Sequence, residues 1–594
     1  MGRLASTGHT KRTVTAAAAA VLAACAHDHT TAPLSVSACG AGGVVQLAPL
    51  QAATVSCDTG TALLLAGGGA RYLVVAQLAT GNVANRSVPY LIGVGEGALA
   101  SLSPAPSAVL DSRLPTAGST LRASSRGPDG WQRTFDARLL AEAQRQLATG
   151  AWRIPRQSPA AKMQVPAPSR AQANATPAVG DLHDFHVLSS NDPRHPLYTP
   201  VAARLGYVGT NILLYVDTLA PANGFTASQL QSFGQLFDQT LYPLVVSTFG
   251  TPSDVDQNGR LVMLLSPVVN ELSPQPDCDT QGFVGGFFSG YDLIGTDTSS
   301  NRGEIFYSVV PDPNGTVSCA HTVSDLLRDT PAIFNHELQH LINFSQHVIA
   351  HGGNSEEGWL DEGMSIVAEE LGSLYYEQKF PPPSGRTNPA QLFPDSSQGF
   401  INGLLVDSYE YLLKTDTATV TLHSDADDGI AWRGGDWLLL RWLGDQKGVG
   451  FYKQLEQNTL RGTANIAAAA GESFASLFGD FSLALYADSV PGIAKSAIPP
   501  RNRFVVRNLR QMYQRLFDTS QPSSLVPRPF PIAPVPLTGA LSASMVPGTM
   551  AFYRVDTNAG QTSVRIQFAA PGGTAPLSAG LNPQLSVFRL PPGS

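Results

Sequence analysis

Charge is scarce in this chain: 14% of its 594 residues are Asp, Glu, Lys or Arg, and 38 basic residues are outnumbered by 46 acidic ones. The resulting net charge of -8 excludes a phosphate-tracking nucleic-acid binder, which needs a basic face. Cysteine is scarcer still, at five residues. No two fall within the C-x2-4-C spacing of zinc clusters, so a cysteine-built metal site is excluded as well. No apolar run reaches the ~18 residues of a membrane-spanning helix. What abounds is glycine, 56 residues, and proline, 44, in a chain that is 43% apolar. That is the composition of a globular chain rich in strands, turns and linkers, long enough for about four domains.

The first residues read as an export address. Arg3, Lys11 and Arg12 precede a short apolar run from Thr13 to Ala24, the pattern of a secretory signal. The signal ends in Leu22-Ala23-Ala24-Cys25, which resembles the lipobox of bacterial lipoproteins. That resemblance implies removal of residues 1–24, a lipid on Cys25, and a protein held at a membrane or cell surface by that anchor alone. Without lipidation of Cys25 the chain would be secreted. A lipidated Cys25 leaves four cysteines, and the expected disulfides are Cys39 with Cys57 and Cys278 with Cys319, because each pair stays inside one segment.

Short β-rich runs separated by Gly, Asn and Ser turns predict an N-terminal β-domain over residues 25–110. Residues 111–180 are rich in Pro, Ala, Ser and Gln and read as a linker or pro-segment with one helix near Ala137 to Ala151. From Asp181 strong strands at Asn211 to Val216 and Leu261 to Ser266 flank a helix-like Ala227 to Phe249, which predicts a mixed α/β domain through residue 520. A Pro-rich linker, 521–536, then leads to a second small β-domain, 537–594.

The chemistry is concentrated in His336-Glu337-Leu338-Gln339-His340. On a helix, residues four apart lie about 40° apart, so both imidazoles face one metal ion. Zinc accepts neutral nitrogen donors and keeps a position open for water, and the adjacent Glu337 is placed to take a proton from that water. With 12 His and 14 Glu in the chain, chance would produce this pattern about 0.006 times, so coincidence is a weak rival. Thr330 and Pro331 predict the start of the motif helix. A third ligand is needed, and the simplest metzincin extension is excluded because its Gly and third His positions are Asn343 and Gln346, with His347 missing that register by one residue. Downstream, Glu362, Ser365 and Glu369 share one helical face, so Glu362 is the expected ligand and the other two are placed to support a histidine. Glu356 and Glu357 are the competing carboxylates, but both follow the Gly352-Gly353-Asn354 loop.

Taken with Trp359-Leu360-Asp361-Glu362-Gly363-Met364-Ser365, the motif resembles the hyicolysin family of bacterial zinc metallopeptidases, within the gluzincins, over residues 181–520. The resemblance implies a zincin fold of α+β type, with a sheet lobe carrying the motif helix and a helical lobe closing the cleft. It implies zinc held by His336, His340 and Glu362, Glu337 as general base, and hydrolysis of a protein or peptide substrate. It also makes Gly303 to Val310 the expected sheet edge for an extended substrate. Two features depart from the pattern. His340 and Glu362 are separated by more residues than in better-known gluzincins, and Trp432-Arg433-Gly434-Gly435 stands where Tyr-Gly is expected. Arg433, Tyr409 and His423 are therefore the candidates for the transition-state electrophile.

A second metal motif is Asp254-Val255-Asp256-Gln257-Asn258-Gly259. Asp254, Asp256 and Asn258 open like a calcium loop, although position twelve is Leu265 rather than Glu, and a metal-free Asn-Gly turn explains the same residues. The competing functional reading is a non-catalytic surface binder that uses the same scaffold without turnover.

Overall fold

Strands Leu182–Leu188, Tyr198–Val208, Ile212–Asp217, Leu261–Leu265, Ile305–Ser308 and Gly286–Phe288 lie side by side, in that spatial order, in a six-stranded sheet of a mixed α/β architecture. The computed structural model describes residues 38–40, 42–81, 86–95, 129–152, 177–275, 277–295, 297–380, 398–421, 430–520 and 525–592. Cys25 and His423 lie outside the described residues. The three central strands are parallel and the pairs at both sides antiparallel. Leu261–Leu265 is buried at every position, as an interior parallel strand covered on both faces must be. Its crossover is helical: Ala227–Leu236, started by a Thr226 and Gln229 capping box, runs through a π-turn into Tyr242–Phe249.

The motif lies on a helix, Val323–Phe344, that starts a full seven residues before the expected Thr330. Thr322 and Asp325 cap it reciprocally, and Pro331 sits inside the helix rather than in its first turn. A capping box satisfies two orphan backbone donors, which outweighs a lone Thr-Pro signal. The helix is seated by aromatic rings: Phe334 packs edge-on against Phe237 at 4.5 Å and Phe306 at 5.5 Å, tying the motif to crossover and sheet. Two further helices complete the setting, an acidic helix, Gly358–Lys379, and a helix Ile430–Lys447.

Several sequence expectations are corrected. Ile305–Ser308 lies between two strands, so the edge on that side of the sheet is Gly286–Phe288 and not Gly303 to Val310. The two β-segments are not separate domains. One five-stranded sheet contains Val44–Val45, Ala62–Ala66 and Val88–Gly95 together with Ala540–Met545 and Ser563–Ala569. The other contains Ala52–Ser56 and Arg71–Leu78 together with Val535–Pro536, Met550–Asp556 and Pro583–Leu590. The physical reason is visible in Arg71–Leu78: seven of its eight residues are buried, and its backbone is paired on one side by Met550–Asp556 and on the other by Pro583–Leu590. Both ladders of this buried strand are thus completed by the second segment, and without it the strand's backbone groups would be left unpaired. Residues 525–534 are likewise packed rather than free, with Leu525, Val526 and Ile532 in the main core. Disulfides join Cys39 to Cys57 and Cys278 to Cys319. No helix among the described residues is long and apolar enough to cross a membrane.

Candidate metal centre

His336 and His340 project from the motif helix with their Nε2 atoms 3.0 Å apart. Each faces one oxygen of Glu362, at 3.6 Å for His336 and 3.5 Å for His340. The opposite ring nitrogens are held by acids. His336 Nδ1 lies 2.8 Å from Glu369 Oε1, and His340 Nδ1 lies 3.0 Å from Asp361 Oδ2 and 3.1 Å from Ser365 Oγ. With the proton of each ring at Nδ1, beside its acid, the two Nε2 lone pairs would confront each other and a carboxylate, an arrangement that calls for a cation among them. The donor set, two imidazoles and one carboxylate, is that of a catalytic zinc site, so the residues present fit the metal that the sequence implies.

Burial shapes the electrostatics. It pushes the His336 imidazole down, which suits a neutral ligand. For His340 burial acts the same way, but Asp361 and Glu362 outweigh it and hold the ring well above its ordinary value. Burial also opposes charge on Glu362, yet His340, His336 and Arg433 together keep its carboxyl below the usual range. Glu337, 3% exposed, is pushed well up by burial and by the neighbouring Asp136. Its Oε2 accepts a 3.0 Å hydrogen bond from the Phe288 amide of the edge strand, so sheet and motif helix jointly fix its carboxylate. Glu337 and His340 open into a cavity of about 390 Å³ that Tyr198, Phe288 and Tyr291 also line.

The structure brings Glu362, Ser365 and Glu369 together with the two histidines as their shared face requires. The rival carboxylates are engaged elsewhere. Glu356 accepts from the Gly462 amide at 2.7 Å and Asn465 Nδ2 at 2.8 Å, while Glu357 accepts from Trp359 Nε1 at 2.8 Å. Of the electrophile candidates, Arg433 stands behind Glu362: Nη1 donates to Glu362 Oε2 at 2.7 Å, and the guanidinium also meets Glu369 and Asp407. It braces Glu362 and is not among the residues that line the cavity. Tyr409 is not at the site, since its hydroxyl donates to the Arg528 carbonyl at 2.7 Å. Sequence reasoning did not assign a role to Asp361, although its position beside Glu362 was a usable signal. It had no signal for Gln132 and Asp136.

In the Asp254 loop, Asp254 and Asp256 meet Glu304, with ligand oxygens all within 4.8 Å of one another. Asn258 lies in the same loop, where its Nδ2 donates to Asp256 and its Oδ1 accepts from the Arg260 amide at 2.6 Å; Glu304, from before the strand Ile305–Ser308, is the third acid.

No family model matches the chain. Over 193 residues it is 28% identical to a protein described as neutral metalloprotease ShpI of Staphylococcus hyicus, a stretch that covers 32% of this chain and 40% of that protein.

Proposed function

We propose that the chain is a zinc-dependent endopeptidase of the gluzincin type. The observation that carries this is the convergence of the Nε2 atoms of His336 and His340 and the Glu362 carboxylate beside a second buried carboxylate, Glu337, at the wall of a cavity. The similarity to a metalloprotease supports it. His336, His340 and Glu362 would hold the zinc, which when bound supplies Lewis acidity toward a water and a scissile carbonyl. Glu337 takes the proton from that water and delivers it to the leaving amine. Glu369 and Asp361 hold the imidazoles in the tautomer that presents Nε2. The edge strand Gly286–Phe288 is the place for an extended substrate to pair by its backbone. The sheet with the motif helix, and the helices that follow, would be the two lobes of a zincin, exported and anchored through Cys25. A non-catalytic scaffold has no use for a base held at the cavity wall, so nothing at the site favours that reading.

The test is metal content and casein hydrolysis on one preparation. Zinc near one equivalent is expected, with hydrolysis lost on treatment with phenanthroline and restored by added zinc. Hydrolysis indifferent to the chelator would refute the proposal.

A second, structural cation is supported by Glu304. Its Oε1 accepts from Ser253 Oγ at 2.7 Å and the Val255 amide at 3.0 Å, while its buried Oε2 has no partner. Burial, then the nearby Glu304 and Asp254 charges, push Asp256 up to about 7 against the hydrogen bond from the Asn258 amide. Three hard oxygen donors suit calcium. Calcium at a hundredfold excess over its Kd should add about 2.7 kcal/mol of stability, read as a higher Tm that Glu304→Gln removes. An unchanged Tm in calcium would leave a plain turn.

A further inference from the structure

The helix Asp129–Thr149 precedes the six-stranded sheet in the chain yet lies in the cavity beside the metal centre, where Asp136, Leu139 and Ala143 form part of the wall. Its buried face is not that of an ordinary packing helix. Helices retained for packing bury an apolar stripe, but here Gln132, Asp136 and Glu142 are buried along with Phe135 and Ala143. A carboxylate oxygen of Asp136 lies within 4.8 Å of ligand atoms of both His336 and Glu337. Sinking a third acid beside Glu337 and Glu362 is costly unless a cation compensates.

Gln132, one turn earlier, meets the sheet edge. Its Oε1 accepts from the Gly285 amide at 2.7 Å and the Gly286 amide at 3.3 Å, and its Nε2 donates to the Gly286 carbonyl at 2.6 Å. One carboxamide thus uses the backbone donors and acceptor that an added β-strand would need, at that edge of the sheet. The same Nε2 reaches both Asp136 oxygens, at 2.9 and 3.0 Å, so the two side chains act as a unit. Phe135 packs on Phe287 of that strand with ring centroids 5.3 Å apart. Farther along the helix Gln144 Nε2 donates to the Glu356 carbonyl at 2.7 Å. The helix is thus tied both to the sheet edge and to the segment that leads into Gly358–Lys379.

We propose that the helix Asp129–Thr149 is a built-in occupant of the active cleft, with Asp136 serving as a further metal donor and Gln132 standing in for a substrate peptide group, so that the intact chain is latent. This rests on the metallopeptidase reading above. Substrate and helix compete for the same two features, the metal's open position and the Gly285 to Gly286 edge, and the helix is covalently attached, which gives it a high effective concentration. Turnover requires its displacement.

The test uses the full chain, loaded with zinc or cobalt, and compares wild type with Asp136→Asn and Gln132→Ala. Asp136→Asn keeps the side-chain volume, and its Tm checks folding. Acetohydroxamate, a small metal-directed probe, should bind Asp136→Asn at least about tenfold more tightly than wild type, a shift of about 1.4 kcal/mol, and the visible cobalt spectrum should change. Both variants should hydrolyse a fluorogenic peptide faster than wild type, and Gln132→Ala should speed hydrogen exchange in residues 129–149. Superimposable cobalt spectra together with equal hydroxamate affinities would overturn the role of Asp136. Unchanged hydrolysis in both variants of a chain whose wild type is active would overturn latency. Tighter hydroxamate binding with no hydrolysis by any form would uphold the occupant and defeat the peptidase reading instead. Failure of every form to take up metal would defeat both.

Discussion

Glu337→Gln should retain zinc at the wild-type ratio and lose peptide hydrolysis by about 10²- to 10⁴-fold, the range that a general acid–base group contributes. Gln has the volume of Glu and keeps an oxygen to accept the Phe288 amide, which donates to Glu337 at 3.0 Å, so the motif helix need not move. His336, His340 and Glu362 are untouched, so metal uptake is preserved. What disappears is the only carboxylate of the motif placed to accept a proton from water and return it to an amine. The loss should fall on kcat and kcat/KM alike, because the interaction is made in the transition state. Wild-type kcat in a fully zinc-loaded Glu337→Gln protein would sink the mechanism.

Glu362→Ala should weaken zinc binding by more than the 10- to 100-fold that loss of a supporting group alone costs, measured by competition with a chromogenic chelator. Both imidazoles face this carboxylate at about 3.5 Å, and among the described residues no other acid joins His336 and His340 in one ligand group. Arg433 complicates stability, since its Nη1 donates to Glu362 at 2.7 Å and the guanidinium would be left with Glu369 and Asp407 as acidic partners, a loss of about 1–3 kcal/mol. Glu362→Gln, which leaves Arg433 an acceptor, separates the two effects: it should fold better than Glu362→Ala and still bind zinc poorly. Glu356→Ala is the control. It should keep zinc while lowering Tm, because Glu356 satisfies the Gly462 amide and Asn465 rather than the metal side of the cavity. Zinc lost from Glu356→Ala and kept by Glu362→Ala would reverse the assignment.

Both of these predictions concern residues that local periodicity makes legible. His336 and His340 share a face because a helix turns about 100° per residue, and Glu362, Ser365 and Glu369 share one for the same reason. Nothing beyond the helix is needed to see which side chains point together, and the capping signal at Thr322 was available to place its start. The turn chemistry of the Asp254 loop was legible too, but the third acid that meets it, Glu304, is 50 residues from Asp254, and nothing within the loop pointed to it.

Hydrophobic pattern and helical period, both short-range properties, determined the mixed α/β class, the helical setting of the motif and which of its side chains share a face. Tertiary structure alone decided three things. It decided which strands pair, because Arg71–Leu78 finds its neighbours in Met550–Asp556 and Pro583–Leu590, and backbone hydrogen bonds carry no mark of the partner they will choose. It decided that Arg433 braces Glu362 instead of lining the cavity. And it decided that Gln132 and Asp136, in a stretch whose composition reads as linker, meet the sheet edge and the metal centre: Gln132 bonds a glycine 154 residues away, a contact that forms only because burying Phe135 against Phe287 brings the two segments together.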